Sequence, residues 1–267
     1  MPYNPRFLRA VVLPATLALG SLFNGLALPV LAQESPLNAP AVTANPADKK
    51  ILQIELGYVR SSSGAVNSET QAGLSALAEE VKKRTAVDVQ GVKALDPEND
   101  DLSVYQFIYW PVTPDAKTLS EKARSNVQHY INTGGVILFD LRDAGGVMRN
   151  QQSLQRLMAG ISLKPLTALA KDHTLTKTFY QLAGLPGSSA FGTTWVEKNE
   201  GKGTESVSSV IIGDSNWAGA WAGRSVLSTS REREMALRSG INMVLYAYTG
   251  NFKSDPIQPV LERLTRP

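Results

Sequence analysis

The run YINTGGVILFDLRDAGG (Tyr130–Gly146) decides how the chain is read, because two Gly-Gly pairs bracket a short apolar stretch that ends in Asp140. A phosphate cradle needs the order strand, Gly-rich turn, helix, since the phosphate sits on a helix amino terminus. Gly134-Gly135 has the reverse setting. Ala123, Val127, Tyr130 and Ile131 recur at helical spacing before it, and VILFD (Val136–Asp140) follows as a continuous apolar run suited to a buried parallel strand. The first pair therefore reads as a helix carboxyl cap, with Gly134 left-handed and Gly135 turning the chain into the strand. The second pair, Gly145-Gly146, lies just past a strand, where α/β sheets place their ligands.

Working outward, Ile51–Leu56 is a short apolar strand closed by Gly57. Ser68 and Gln71 have capping-box spacing, Leu74, Leu77, Ala78 and Val81 share a helical face, and Lys82, Lys83 and Arg84 sit where the helix dipole favours cations. AVDVQGV (86–92) and YQFIYWP (105–111) read as strands, the latter stopped by Pro111 and Pro114. The order β-α-β-β-α-β predicts an α/β fold, a mostly parallel sheet with helices on both faces. A helix follows at 153–159, then an irregular region over 164–203, a strand at 207–212, and a long last helix with Leu237, Ile241, Val244, Leu245 and Tyr248 on one face and Gly250 at its cap.

The 267 residues, 43% hydrophobic and 19% charged, suit one α/β core. Residues 1–32 carry Arg6 and Arg9, an apolar run and a small-residue site ending at Ala32, the pattern of a signal peptide cleaved after Ala32. An uncleaved anchor is the competing reading, against which Asn24, Gly25 and Pro29 interrupt the run. Residues 33–48 read as a flexible linker, 49–250 as a single α/β domain and 251–267 as a tail. The expected location is the periplasm or the exterior, with no transmembrane segment in the mature chain. Removal of the leader takes two of the 27 basic side chains and none of the 24 acidic ones, leaving a net charge near +1. With no basic stripe interleaved with aromatics, nucleic acid is not an expected partner. The absence of cysteine excludes disulfides, a thiolate metal site and a cysteine nucleophile.

Ligands of doubly wound sheets bind beyond the carboxyl ends of the strands. That rule selects Tyr58, Arg60, Trp110, Asp140, Arg142, Asp143, Asp214, Asn216 and Trp217 as a candidate contact face. Asp140 and Asp143 with Arg142 between them lack the Asp-x-Asp, Asp-x-Ser-x-Ser or Gly-Lys-Ser/Thr of known metal and phosphate sites, so mutual neutralisation in a turn stands beside a bound polar ligand. Gly213-Asp214-Ser215 matches three residues of an esterase block, but His129 and His173 both precede it and the carboxyl-terminal general base is missing. His173, next to Asp172, is the imidazole placed where a functional loop is expected. Two separated histidines make no zinc site, and no cofactor is expected.

The stretches LGYVRSSSGAVNSETQAGLSALAEEVKKRTAV, FIYWPVTPDAKTLSEKARSNVQHYINTGGVILFDLRD, DHTLTKTFYQL, IIGDSNWAGAWA and REREMALRSGINMVLYAYTGNFKSD together resemble the bacterial domain of unknown function 4159, over nearly all of residues 49–255. That domain is found at the carboxyl end of alphaproteobacterial membrane proteins whose amino-terminal part is similar to BatA. The resemblance implies a flavodoxin-like fold akin to class I glutamine amidotransferases, without amidotransferase activity, since no cysteine is present for the nucleophile's place. The expected function is an exported, non-catalytic binding or adaptor domain of the bacterial envelope with an envelope protein as partner. A periplasmic hydrolase using strand-end carboxylates, with a divalent cation and His173 as acid/base, and a sugar or peptide sensor are the alternatives.

Overall fold

Val136–Asp140 is the central strand of the sheet, and all five of its residues are buried. It is β4 of a seven-stranded sheet in the order β2-β1-β3-β4-β7-β6-β5. The computed structural model describes residues 53–142, 147–188, 192–198, 207–223 and 229–250. β1 (Gln53–Val59), β2 (Asp88–Leu95), β3 (Phe107–Pro111), β4 and β7 (Val210–Gly213) run parallel. β6 (Thr194–Glu197) is antiparallel to β7, and β5 (Leu166–Ala168) is antiparallel to β6. The parallel part has the flavodoxin-like order, with its reversal between β1 and β3.

Alternation along the strands builds two cores. Phe107, Tyr109, Val136, Leu138 and Ile211 face one side, where α1 (Gly64–Arg84), α4 (Trp217–Trp221) and α5 (Ser230–Gly250) pack through Leu74, Leu77, Trp221, Ile241 and Val244. Ile108, Trp110, Ile137, Phe139 and Ile212 face the other, covered by α2 (Glu121–Asn132) through Val127, Tyr130 and Ile131, and by α3 (Val147–Leu157) through Leu157. Helices therefore cover both faces, as a buried parallel sheet requires.

Gly134 is left-handed at φ 92, as expected of a carboxyl cap. A Cβ on Gly135 would fall 2.2 Å from the Tyr130 ring, so this pair is fixed by packing as well as by conformation. Three expectations need correction. α1 starts at Gly64 with Ser63 as its N-cap, so Ser68 and Gln71 lie inside the helix and not at a capping box. Serine-rich loops offer several possible caps, and here the Ser63 hydroxyl accepts from Val66 N at 3.4 Å. α3 begins at Val147, ahead of Ser153. The region 164–203 is not wholly irregular but carries β5 and β6, the antiparallel extension of the sheet. Strands of three and four residues leave little periodicity to read.

Candidate functional site

The carboxyl end of β4 is built around a buried carboxylate. Asp140 has no exposed surface, and four donors converge on it. Tyr109 Oη lies at 2.5 Å and Trp217 N at 2.7 Å from Oδ2, and Arg142 N at 2.9 Å and Asn216 N at 3.1 Å from Oδ1. Arg142 (φ 56) and Asn216 (φ 42) are the non-glycine residues with positive φ among those described, and both donate to Asp140. Left-handed backbone costs such residues roughly 1–3 kcal/mol, and here it aims two N–H groups at one carboxylate. Burial pushes the Asp140 carboxyl up from its ordinary value, and the hydrogen bonds from Tyr109, Arg142 and Trp217 pull it back. Burial, and then the negative charge of Asp140, raise the Tyr109 phenol.

This cluster joins β3, β4 and the end of β7, and its carboxylate is closed off from solvent. Trp217 is fully buried, its Nε1 donating to Leu185 O at 3.0 Å, and Asn216 is the N-cap of α4. Tyr58 is buried in the core on the α1 side. Arg142 pairs with Glu69 at 2.9 Å, with its Nη1 buried and unpartnered. Asp143, Gly145 and Gly146 lie outside the described residues. The expected contact face thus divides: Tyr58, Asp140 and Trp217 are core groups, because strand-end side chains in this sheet turn inward under α1 and α4.

His173 stands elsewhere. Its Nδ1 accepts from Leu175 N at 3.1 Å, and its ring lies 5.9 Å from that of Tyr246. Tyr246 Oη accepts from Ser208 N, ahead of β7, so the imidazole belongs to the amino end of the sheet, opposite Asp140. The Ser215 Oγ is buried and has no hydrogen-bond partner, so no histidine activates it. Asp214 is half-buried beside Gly192. No group of three or more His, Asp or Glu that could hold a metal occurs among the described residues.

Where the strand order reverses, the carboxyl ends of β1 and β3 open into a crevice of about 370 Å³. Val59, Trp110, Leu119 and Leu157 give it apolar surface, with Trp110 only 5% exposed and stacked on Phe139 at a centroid distance of 5.4 Å. Its rim carries Arg60 and Lys117, the hydroxyls of Ser61, Ser62, Thr113 and Thr118, and the carboxylates of Asp96 and Asp115. The loops after β1 and β3 are tied across the crevice by the Ser62 hydroxyl donating to Asp115. Hydrogen bonds from Ser62 and Thr113 hold the Asp115 carboxyl below its usual value, and those from Glu98 N and Asn99 do the same for Asp96. Of the residues selected from sequence, Arg60 and Trp110 reach this crevice. Ser61, Ser62, Thr113, Asp115 and Lys117 were missed. Their signal was SSSG entering a helix and TPDAK leaving a strand, on either side of the reversal.

No helix among the described residues is long and apolar enough to cross a membrane. No curated protein matches the chain. A family model described as a domain of unknown function (DUF4159) matches residues 55–248, which spans β1 through nearly the whole of α5 and so takes in both the buried Asp140 cluster and the open crevice. The chain belongs to the DUF4159 family.

Proposed function

We propose that the chain is an exported, non-catalytic binding domain of the bacterial envelope, engaging a polypeptide segment of a partner in the crevice between β1 and β3. The observation that carries this reading is the crevice at the strand-order reversal, the place where open α/β sheets hold their ligands. Its chemistry fits a peptide: apolar floor for a side chain, and charges of both signs on the rim for polar groups of the segment. Asp96 and Asp115 are engaged by their own chain and held ionised, which suits them poorly to general-acid work. Export rests on the leader-like residues 1–32, and kinship with the glutamine-amidotransferase architecture rests on the resemblance together with the flavodoxin-like strand order.

A photo-crosslinking residue at Lys117, on the crevice rim, compared with one at Lys164, exposed beside β5, tests the reading in cells. A discrete adduct from position 117 and none from 164 is the expected result. Adducts of equal yield from both positions, or none from 117, would count against the crevice as the contact site.

A further inference from the structure

A second cavity, of about 570 Å³, lies on the antiparallel side of the sheet between β5, β6, the loop 183–188 and the start of α5. Its size is within the range that encloses a small organic ligand. The wall is held in place by hydrogen bonds independent of any ligand. Trp217 Nε1 donates to Leu185 O at 3.0 Å, Ser188 N to Ser215 O at 2.6 Å, and Leu169 N to Thr194 O at 2.8 Å. Gly187 and Gly192 let the wall lie this close. A Cβ on Gly187 would fall 2.5 Å from Ser215 O, and one on Gly192 would fall 2.2 Å from Ser215 Oγ. The described part of the wall is therefore fixed without an occupant, which lowers the ordering cost of binding.

Ala168, Leu169, Leu185, Pro186 and Met235 supply apolar surface, with Met235 able to adapt its shape to an occupant. Two charged residues, Arg231 and Glu232, meet the cavity at the first turn of α5. The Glu232 carboxylate is engaged in a capping box with Thr229, accepting from Thr229 N at 2.6 Å and Oγ1 at 3.1 Å while Glu232 N donates back to Thr229 Oγ1 at 3.3 Å. Arg231 has no carboxylate partner among the described residues. With the Glu232 carboxylate turned to Thr229, the Arg231 guanidinium is the charged group left for an occupant among the described residues, and an apolar wall beside it is complementary to a molecule with an apolar body and an anionic end.

We propose that this cavity binds a small amphipathic carboxylate, its acid group at Arg231 and its apolar body against Leu169, Leu185 and Met235. The site is separate from the β1/β3 crevice and does not rest on it. Decanoate and decanol, titrated calorimetrically into the full-length protein below micelle-forming concentrations, supply the test. Two variants accompany the wild type. Arg231→Gln removes the cation from an exposed position, and Gly184→Phe fills the cavity from a position where an added Cβ meets nothing within 4 Å. Saturable decanoate binding is expected, about tenfold weaker in Arg231→Gln, which corresponds to the loss of one charge-assisted contact. Decanol should bind more weakly than decanoate and be indifferent to Arg231→Gln, and Gly184→Phe should abolish both at an unchanged melting temperature. Decanoate binding that survives Gly184→Phe overturns the site. Equal affinity for decanol and decanoate overturns the anionic class, and absence of saturable binding overturns both.

Discussion

The carboxyl ends of β4 and of β1/β3 lie at the same end of one sheet and have opposite fates. At β4, Asp140 is fully buried and takes four internal hydrogen bonds, so its polar capacity is spent inside the protein. At β1/β3, the chain leaves a crevice whose two cations, Arg60 and Lys117, are exposed. Topology explains the difference. β4 is flanked by β3 and β7 with α1 and α4 packed above, whereas the connections from β1 and β3 leave in opposite directions across the sheet. A carboxylate at a strand end is thus no evidence of a ligand until its donors are counted.

The comparison can be broken most forcefully at Asp140. Asp140→Ala leaves three backbone N–H groups and the Tyr109 hydroxyl buried without a partner, and should cost about 3–5 kcal/mol. Chemical denaturation would measure it, and a loss under about 1 kcal/mol would mean the cluster is not the latch described. Gly73 comes next. A Cβ there would fall 2.2 Å from Ala218 O, backbone that cannot swing aside, so Gly73→Ala should cost about 1–3 kcal/mol by forcing α1 away from α4.

A smaller effect belongs to acid. Hydrogen bonds and charge from Arg84 and Arg238 lower the Glu234 carboxyl from its ordinary 4.5 to about 2. A lowered folded-state pKa means the pair stabilises above the ordinary value and is lost as pH falls from 4.5 towards 2. Because the Glu234 side chain is 34% exposed, solvent screening holds the contribution to about 1 kcal/mol or less. Glu234→Gln should flatten the stability profile over that window, and an unchanged slope would remove this pair from the account. Smallest of all for stability is the crevice rim. Arg60→Glu with Lys117→Glu should change stability by no more than about 0.5 kcal/mol while changing what the surface binds.

Much of this was legible in the residues. VILFD is a strand over the residues expected, and Gly134 caps α2 in the expected conformation. Those signals are local: an apolar run, a helical spacing, a glycine at a boundary. The inward turn of Tyr58, Asp140 and Trp217 was not legible, because it depends on helices from distant parts of the chain closing over the strand ends. β5 and β6 were too short to show a period. The crevice rim is assembled from the loops after β1, β2 and β3, and only the strand order brings Ser62 to Asp115, more than fifty residues away.

Capture of envelope protein by the wild-type chain and by the Arg60→Glu, Lys117→Glu variant, with melting temperature recorded for both, tests the central claim most directly. The account predicts a partner held by the wild type and lost by the variant at an unchanged melting temperature. A partner retained by the variant would contradict it and return the search to another face of the sheet.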